Sequence, residues 1–287
     1  MVSVVLPTYN GKKYIRKSIE SVLNQTYRDL ELIIVNDCSN DGTEVLVEEY
    51  ALLDSRIRVI HNEVNKKLPG ALNIGFSCAQ GNLFTWTSDD NIYREDAIEK
   101  MVEFMHSNPE VDVVYADYDL INEEGTITGE VKHKKTDNIY RDNIVGACFL
   151  YKREVQETLG GYNEKLFLVE DYDFWLRANE KFVLKPMQET LYFYRLHNGS
   201  LTGTRMSEIA KATNDVLERI LNHTDLKKED RIILLQKITM TLYNCCYERR
   251  KFRYYMQLLK KESVDAYRGC GKKMILSQYL PKELLRN

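Results

Sequence analysis

Two adjacent carboxylates, Asp89 and Asp90, end an apolar run in the stretch FTWTSDDN (84–91). Acids at the end of a strand can simply cap a turn. They can also hold a divalent cation, because Mg²⁺ and Mn²⁺ take oxygen ligands and need only one or two carboxylates when phosphate groups complete the shell. The pair therefore has two interpretations, a turn and a metal site.

Polar side chains follow three of the apolar runs. In an open parallel sheet the carboxyl ends of the strands meet at one edge, where ligands bind. Local turn formation explains any one of these loops, but three of them at one edge favour a binding site. The residues are Pro7, Thr8, Tyr9 and Asn10 after the first run, Asn36, Asp37, Cys38, Ser39, Asn40 and Asp41 after the second, and Thr87, Ser88, Asp89 and Asp90 after the fourth.

Two phosphate-binding motifs are missing from the sequence. No GxGxxG follows the first run, which argues against a dinucleotide site of Rossmann type, and no GxxxxGK[ST] occurs, which argues against a P-loop. A diphosphate bound without either glycine loop needs a divalent cation to balance its charge. The acids at positions 89 and 90 suit that arrangement, so we expect Mn²⁺ or Mg²⁺ as the cofactor.

Strand and helix periods alternate along residues 1–116, which predicts βαβ units and a mostly parallel sheet. The apolar runs are typical of strands buried on both faces, and the segments between them are amphipathic. The predicted strands are 2–7, 31–36, 57–61, 82–87 and 111–116, and the predicted helices lie near 14–23 and at 41–54, 69–79 and 94–108.

The following segment is less regular. It predicts a hairpin at 118–131 that turns at Glu124-Gly125, a strand at 146–152 with a short helix after it, a helix at 170–180, and strands at 182–186 and 190–197. From residue 207 onward the pattern is helical. We therefore expect a domain over 1–203, a boundary near Gly203 and a helical extension over 204–287.

The composition is that of a soluble globular protein, with 44% hydrophobic and 29% charged residues. None of the six cysteines forms a CxxC pair, so we expect neither a zinc cluster nor a disulfide framework, and reduced thiols favour a cytoplasmic location. The sequence shows no signal-peptide pattern and no apolar run of membrane-spanning length.

Charge is distributed unevenly. Residues 227–287 contain 15 Lys+Arg against 6 Asp+Glu, whereas residues 1–226 contain 25 against 37. The stretch ERRKFRYYMQLLKK (248–261) leaves two interpretations open: a helix on the inner face of an anionic plasma membrane, or a packed extension with a solvated basic face. No nucleic-acid-binding motif accompanies the charge, so we expect no nucleic-acid partner.

Several ordered motifs resemble family 2 of the glycosyltransferases, which have the GT-A fold. They are VSVVLPTYN, ELIIVNDCSNDGT, PGALNIGFSCAQGN, SDDN, GACFLYKREVQETLGGYNE, EDYDFWLR and YRLHNGSLT, and TSDDNIY is similar to the spore-coat polysaccharide transferase branch. The resemblance implies an α/β fold whose Rossmann-like, mostly parallel sheet is flanked by helices. It also implies a nucleotide-sugar-binding half over 1–116, an acceptor-binding half over 117–203 and a basic C-terminal extension.

The activity implied by the resemblance is inverting transfer of a sugar from a nucleotide diphosphate, usually UDP. The acceptor would be a hydroxyl of a glycan or lipid-linked glycan, in synthesis of surface or capsular polysaccharide, lipopolysaccharide or a related glycan. One alternative is a sugar-1-phosphate nucleotidyltransferase, which needs a glycine-rich basic loop where this chain has PTYNGKKY. The other is a non-catalytic nucleotide-sugar-binding protein, which we expect to lack the acids at positions 90 and 171.

The resemblance assigns donor contacts to residues after the first two strands. Pro7, Thr8 and Tyr9 would line the base and ribose pocket, with the Tyr9 ring against the uracil. The family's base-reading acid falls where this chain has Asn36 and Asp37, and either side chain could take that role.

The resemblance also assigns residues around the donor sugar and diphosphate. Asn73 and Asp89 would contact the donor, Asp90 would be the metal ligand, and His197 would contact the diphosphate or the metal. The family has a further acid where this chain has Thr87, so coordination would rest on one protein carboxylate plus water.

On the acceptor side the resemblance assigns the general base to Asp171, at the start of a predicted helix whose dipole favours an ionised carboxylate. A general base must lie within hydrogen-bond reach of the acceptor hydroxyl. The alternative for Asp171 is a helix cap. Glu170 would be its neighbour, Asp173 a first-turn acid, and Trp175 would lie beneath an acceptor sugar or in the core.

Overall fold

The computed structural model describes residues 1–134, 137–200, 204–223, 225–245 and 248–270, with side chains in the last helix described as far as Ser263. The chain divides into two compact units. Unit 1 comprises 1–137 and 144–203, and unit 2 comprises 138–143 and 204–287. Gly203, where we expected a boundary, and the part of the basic tail beyond residue 270 lie outside the described residues.

The first half of unit 1 has the predicted strand–helix alternation. Its strands pair in parallel in the order β3-β2-β1-β4. Nearly every residue of β1 and β2 is buried, as expected for strands covered on both faces. The elements are β1 (Val2–Thr8), α1 (Ile15–Leu23), β2 (Leu30–Asn36), α2 (Thr43–Leu53), β3 (Ile57–His61), α3 (Lys67–Ser77) and β4 (Leu83–Trp86).

The second half extends the same sheet in the order β8-β6-β9-β5, with β7 paired to β6. Strand β8 is antiparallel to both β4 and β6, whereas β9 runs parallel to β6. The predicted hairpin is confirmed as β6–β7, with Gly125 at a φ of +91° in its turn. The elements are β5 (Ile92–Tyr93), α4 (Ala97–Ser107), β6 (Val113–Ile121), β7 (Ile127–Val131), β8 (Phe149–Lys152), α5 (Arg153–Leu159), α6 (Glu170–Asn179) and β9 (Leu184–Arg195).

Strand β9 differs from the prediction. The sequence predicted two strands, at 182–186 and 190–197, but the structure has one strand of 12 residues. Its pairing with β6 shifts register on both sides of Asp117. This irregularity absorbs the residues that separate the two predicted strands, so β9 stays continuous and carries the chain to the edge where the polar loops lie.

The two faces of the sheet have different cores. On one face, aliphatic side chains of β1 and β2 pack with those of α1 and α4. On the other face lies an aromatic cluster whose neighbouring ring centroids are 4.5 to 6.1 Å apart. The cluster holds α6 against the sheet through Phe76, Phe84, Phe149, Tyr151, Tyr162, Phe174 and Trp175.

Unit 2 contains three helices, within the described part of the chain: α7 (Met206–His223), α8 (Lys228–Cys245) and α9 (Arg249–Cys270). Each buries an apolar stripe, for example Leu217 on α7, Leu235 on α8 and Leu259 on α9. The segment 138–143 is tied to α8 by an ion pair between Asp142 and Lys237 at 2.8 Å. Among the residues described, no helix combines the length and the apolar character that crossing a bilayer requires.

Candidate active site

The ends of β1 and β4 meet in a group that we call the donor corner: Thr8, Gly11, Asp89, Asp90 and His197. The Thr8 hydroxyl donates a hydrogen bond of 2.5 Å to Asp89 Oδ2. Gly11 permits this approach, because a Cβ atom there would lie 2.0 Å from Asp89 Oδ2 and 2.5 Å from the Thr8 hydroxyl. Two of the loops predicted to share one edge of the sheet are therefore in direct contact.

The Asp89 carboxyl group is in an unfavourable setting for a negative charge. Desolvation, and after it the neighbouring Asp90 carboxylate, raise the pKa of Asp89 to about 7. The Thr8 hydrogen bond opposes this shift, because it favours the ionised form. Positive charge supplied at this corner would oppose it as well.

Asp90 is held by the segment that follows β9. Its Oδ2 lies 2.9 Å from His197 Nε2, and Gly199 N donates a hydrogen bond of 3.1 Å to His197 Nδ1. Because Nδ1 is an acceptor, we assign the proton of the neutral imidazole to Nε2, which donates it to Asp90. The two residues that were predicted to share the diphosphate or metal are thus in contact.

Arg195 holds the backbone of the loop that contains Asp90, and this arginine is only 2% exposed. Its Nε donates to Asp90 O at 2.9 Å, and one terminal nitrogen donates to Asn122 O at 2.8 Å and Glu123 O at 3.0 Å. The guanidinium lies 4.8 Å from the centroid of the Tyr14 ring. Arg195 therefore joins the Asp90 loop to the β6–β7 turn as a positioning residue.

The residues of the donor corner fit a divalent cation. Asp90 Oδ1 is buried and has no hydrogen-bond partner, so one carboxylate oxygen is left for a ligand. In the part of the chain that the structure describes, no group of three or more His, Cys, Asp and Glu side chains is placed to hold a metal. A cation here would depend on Asp90, with His197 beside it and with phosphate and water oxygens completing the shell.

The loop after β2 carries two candidate residues, Asn36 and Asp37, whose side chains have different hydrogen-bond partners. Asn36 Nδ2 lies 2.9 Å from His61 Nδ1, and Asn36 Oδ1 accepts a hydrogen bond of 3.2 Å from Ser39 N. Both ends of this amide are therefore engaged within the fold. Asp37 Oδ1 accepts two hydrogen bonds of 2.8 Å from the loop between β3 and α3, one of them from a backbone amide.

The loops after β1 and β2 are joined to each other. Asn10, at a φ of +57°, accepts a hydrogen bond of 2.9 Å from Asn40 N through its side-chain oxygen, and its own backbone N–H donates one of 3.0 Å to the Ser39 hydroxyl. This arrangement leaves Tyr9 55% exposed at the edge of the sheet. Pro7, by contrast, is buried within β1.

Asn73 lies on α3 with its amide turned to the segment after α5. Its Nδ2 donates to Tyr162 O at 2.9 Å, and its Oδ1 accepts from Tyr162 N at 2.8 Å. Gly161 is close to the same amide, since a Cβ atom there would lie 2.6 Å from Asn73 Oδ1. Asn73 thus anchors this segment, and a direct contact between Asn73 and the donor stays a prediction.

A second group of acids, which we call the base corner, consists of Glu170 and Asp171 at the start of α6. Asp171 Oδ1 accepts a hydrogen bond of 2.7 Å from Tyr172 N. The N-cap position is occupied by Val169, and no side chain caps the helix, so Asp171 is not its N-cap. Just before the helix Leu168 has a φ of +84°, a left-handed conformation that is strained for leucine.

Glu170 is 3% exposed, and its Oε2 has no hydrogen-bond partner. Desolvation, and after it the Asp171 charge, raise the pKa of Glu170 to about 8. The raised pKa favours the protonated form of Glu170 at neutral pH. A protonated Glu170 places less negative charge beside Asp171 than an ionised one would.

Trp175 is 0% exposed and packs against Phe149 and Phe174 at centroid distances of 4.7 and 5.0 Å. The prediction that it lies beneath an acceptor sugar is wrong, because α6 turns this side chain onto the sheet. The core interpretation holds instead. Asp173 is also structural, since it forms a buried ion pair with Arg177 at 2.8 Å.

Tyr162 and Trp86 connect the two corners. The Trp86 Nε1 donates a hydrogen bond of 3.0 Å to the Tyr162 hydroxyl. Burial raises the pKa of Tyr162, and the charges of Asp171 and Glu170 contribute to the shift, so this ring is close to the base corner. The sequence analysis did not identify Trp86, Tyr162 or Arg195, although Tyr162 and Arg195 lie in stretches that carry the family resemblance and Trp86 directly precedes one.

Several known proteins are similar to this chain in sequence. The family model described as Glycosyl transferase family 2 matches residues 3–160 of this chain. An uncharacterized glycosyltransferase of Haemophilus influenzae is 30% identical over 284 residues, which cover 91% of this chain and 87% of that protein. TuaG of Bacillus subtilis, named as a glycosyltransferase of teichuronic acid biosynthesis, is 30% identical over 215 residues, which cover 74% of this chain and 85% of that protein.

Two solved structures have a similar fold. TarS of S. aureus in complex with UDP-GlcNAc has a TM-score of 0.69 and 18% identity, over 84% of this chain and 72% of that one. The mannosyltransferase PcManGT of Pyrobaculum calidifontis, in complex with GDP-Man and Mn²⁺, has a TM-score of 0.67 and 18% identity, over 95% of this chain and 76% of that one. The likeness concerns the path of the backbone over most of the chain.

Proposed function

This chain belongs to family 2 of the glycosyltransferases and has the GT-A fold, and from that premise we propose that it transfers a sugar from a UDP-sugar to a glycan hydroxyl with inversion. The observation that carries the proposal is the pairing of the donor corner with the base corner through Trp86 and Tyr162. One corner suits a nucleotide diphosphate, and the other places the Asp171 carboxyl group beside Glu170, whose raised pKa favours its protonated form.

The donor would lie across the loops after β1, β2 and β4. The Tyr9 ring is 55% exposed and available to stack on a base. Because the Asn36 amide is engaged at both ends, we assign base recognition to Asp37. TarS is described with UDP-GlcNAc, which supports a UDP-sugar, and the choice between hexosyl and N-acetylhexosaminyl donors remains for experiment.

The reaction would be a direct displacement. Asp171 accepts the proton of the acceptor hydroxyl, whose oxygen forms a bond to the anomeric carbon as the bond from that carbon to the diphosphate oxygen breaks. The electron pair of the broken bond leaves with UDP. Glu170, which keeps its own proton, limits the negative charge beside Asp171.

Asp90 would hold a divalent cation through its unpartnered Oδ1, with His197 orienting the carboxylate. When bound there, Mn²⁺ or Mg²⁺ would neutralise the negative charge of the diphosphate leaving group. Arg195 would keep the Asp90 backbone in place through its bond to the carbonyl. The Mn²⁺ described with PcManGT supports this cofactor assignment.

We assign the acceptor to a cell-envelope polysaccharide or a lipid-linked precursor of one. The name of TuaG, which refers to teichuronic acid biosynthesis, supports this class of acceptor. We also propose that unit 1 is the catalytic domain, with unit 2 as an extension of separate role, and that the protein acts in the cytoplasm, where nucleotide sugars are made.

The proposal is tested by incubating the full chain with Mn²⁺ and each of several UDP-sugars and following UDP release with and without glycan acceptors. We expect release with one sugar class, loss of that release in Asp171→Asn, and full activity in Asp96→Asn. Asp96 is the matched control because it is an exposed aspartate at the start of helix α4. Equal activity of Asp171→Asn and the unaltered chain would overturn the base assignment.

The same assay discriminates the alternative enzyme class. A sugar-1-phosphate nucleotidyltransferase consumes UTP and releases pyrophosphate, whereas the proposed transferase consumes a UDP-sugar and releases UDP. Pyrophosphate release with UTP and a sugar 1-phosphate, in the absence of UDP release, would support the alternative. Binding of UDP-sugars without any turnover would support a non-catalytic nucleotide-sugar-binding protein.

Helix α9 bears on the membrane interpretation of the basic tail. Its apolar residues Met256 and Leu259 are buried within unit 2, so they are not available for insertion. Its cations Arg249, Arg250, Arg253, Lys260 and Lys261 are exposed instead. We therefore propose a peripheral, electrostatic contact with anionic lipid headgroups rather than an inserted amphipathic helix.

Vesicle flotation of the full chain tests this contact. We expect binding to vesicles with anionic phosphatidylglycerol, loss of binding at high salt, and loss on changing the five exposed cations of α9 to Gln. The exposed pair Lys227 and Lys228, changed to Gln, is the control. If the protein does not float with anionic vesicles at low salt, the solvated-face interpretation is correct.

A further inference from the structure

The chain contains two tryptophans, and the structure gives them opposite surroundings. Trp175 is 0% exposed in the aromatic core. Trp86, the last residue of β4, is only partly buried and stands three residues before Asp89. Trp175 is therefore enclosed by the core, whereas Trp86 keeps some exposed surface and ends the strand that leads to Asp89 and Asp90.

The orientation of Trp86 is fixed from two directions. Its Nε1 donates to the Tyr162 hydroxyl at 3.0 Å, and the Phe149 ring packs at 5.8 Å with an interplanar angle of 69°. Tyr162 is itself stacked on Phe174, with centroids 4.5 Å apart. The indole cannot turn without breaking these contacts, so its exposed surface is pre-organised before any ligand arrives.

Trp86 also stands between the two corners. The acids of the donor corner follow it in the same loop, and its hydrogen-bond partner Tyr162 stacks on Phe174 of α6, the helix whose first turn contains Asp171. In the proposed reaction the anomeric carbon must lie between the leaving diphosphate at Asp90 and the acceptor oxygen at Asp171. The ring of the transferred sugar must therefore lie near the end of β4.

We propose that the indole of Trp86 is the platform against which the pyranose ring of the donor lies during transfer. This inference rests on the proposed function and adds the residue that recognises the sugar. A pyranose ring has a face of C–H groups, and a rigid aromatic surface buries that face without competing for its hydroxyls. Trp86 then selects for donors with such a face and makes no contact with the nucleotide.

The first test uses the tryptophans as reporters. In Trp175→Phe the single remaining tryptophan is Trp86, and we expect its emission to change with UDP-GlcNAc, UDP-glucose or UDP-galactose plus Mn²⁺, beyond any change caused by UDP. In Trp86→Phe the remaining Trp175 should respond to neither. If Trp175→Phe does not fold, the difference between the unaltered chain and Trp86→Phe gives the same information.

The second test measures affinity by calorimetry. For Trp86→Leu we expect UDP to bind within about twofold of the unaltered chain, while the best UDP-sugar binds about tenfold more weakly. Trp86→Phe, which keeps an aromatic surface, should recover part of the loss. Trp175→Phe should change neither affinity, because its ring does not reach the edge of the sheet.

The outcomes separate this inference from the function on which it rests. Equal losses for UDP and UDP-sugar in Trp86→Leu, or equal emission changes for both ligands, would overturn the platform while leaving a UDP-sugar transferase intact. Failure of the unaltered chain to bind any of these ligands would overturn both. A loss confined to the sugar supports the platform.

Discussion

At the donor corner each acid has a side-chain partner from a distant part of the sequence: Asp89 has Thr8, and Asp90 has His197. At the base corner, Glu170 Oε2 is buried without a hydrogen-bond partner, and the strained Leu168 stands just before the helix. The donor corner is therefore organised by hydrogen bonds between side chains, and Glu170 at the base corner by burial and by hydrogen bonds from its local backbone. Changes at the first should act on ligand binding and geometry, and changes at Glu170 should act through protonation.

The largest expected effect is that of Arg195→Met on stability. This change removes a buried guanidinium that donates to three partly buried backbone carbonyls, and we expect the free energy of unfolding to fall by about 3 kcal/mol. Arg16→Met is the matched control, because Arg16 also lies over a tyrosine ring, at 5.5 Å from Tyr50, but is exposed. Urea unfolding of both variants checks the prediction, and equal losses would contradict it.

Asp90→Ala should act on ligand binding instead. Removal of the only carboxylate with an unpartnered oxygen at the donor corner should weaken Mn²⁺-dependent UDP binding by about 10- to 100-fold. Asp171→Asn, at the other corner, should keep this dependence. Calorimetry with UDP, with and without Mn²⁺, measures both variants. UDP affinity that still depends on Mn²⁺ in Asp90→Ala would contradict the assignment of metal binding to the donor corner. Loss of that dependence in Asp171→Asn would contradict it as well.

Gly11→Ala tests how closely the donor corner is packed. The new Cβ would meet the Asp89 and Thr8 oxygens, so we expect a loss of about 2 kcal/mol in stability and weaker UDP binding. Gly129→Ala in β7 is the control, since its Cβ would make an ordinary contact of 3.4 Å with Leu120. Thermal melts and UDP titrations should separate the two variants. A Gly11→Ala protein as stable as Gly129→Ala would argue against the close packing of Gly11 on Thr8 and Asp89.

Glu170→Gln sharpens the comparison through pH, and its effect should be smallest near pH 5, where the folded carboxyl group carries its proton as the Gln amide carries its hydrogens. Because the pKa of folded Glu170 is raised from 4.5 to about 8, its contribution to stability is full below about pH 4.5 and is lost as pH rises through about 8. Gln cannot ionise, so the variant should lose less stability than the unaltered chain between pH 5 and 9, as followed by thermal melts. Glu154→Gln, an exposed first-turn glutamate of α5, should not change the profile.

Much of the donor corner could be predicted from sequence because parallel strands bring their carboxyl ends to one edge. That rule placed Thr8 near Asp89 without any knowledge of tertiary contacts. Arg195 could not be predicted in the same way, since its bonds are to backbone carbonyls, which have no sequence pattern. For Trp175 the sequence left both a sugar contact and the core open, because a helix pattern does not tell which face meets the sheet.

The continuous β9 has a consequence for how the protein is made. This strand is the last of the sheet in chain order, yet it pairs with β6 and β5 and ends in Arg195, two residues before His197. A nascent chain that has emerged only as far as α6 already contains Asp90 and Asp171 but has neither residue that secures the Asp90 loop. Synthesis of β9 and the two residues after it therefore completes the hydrogen bonds that secure the Asp90 loop.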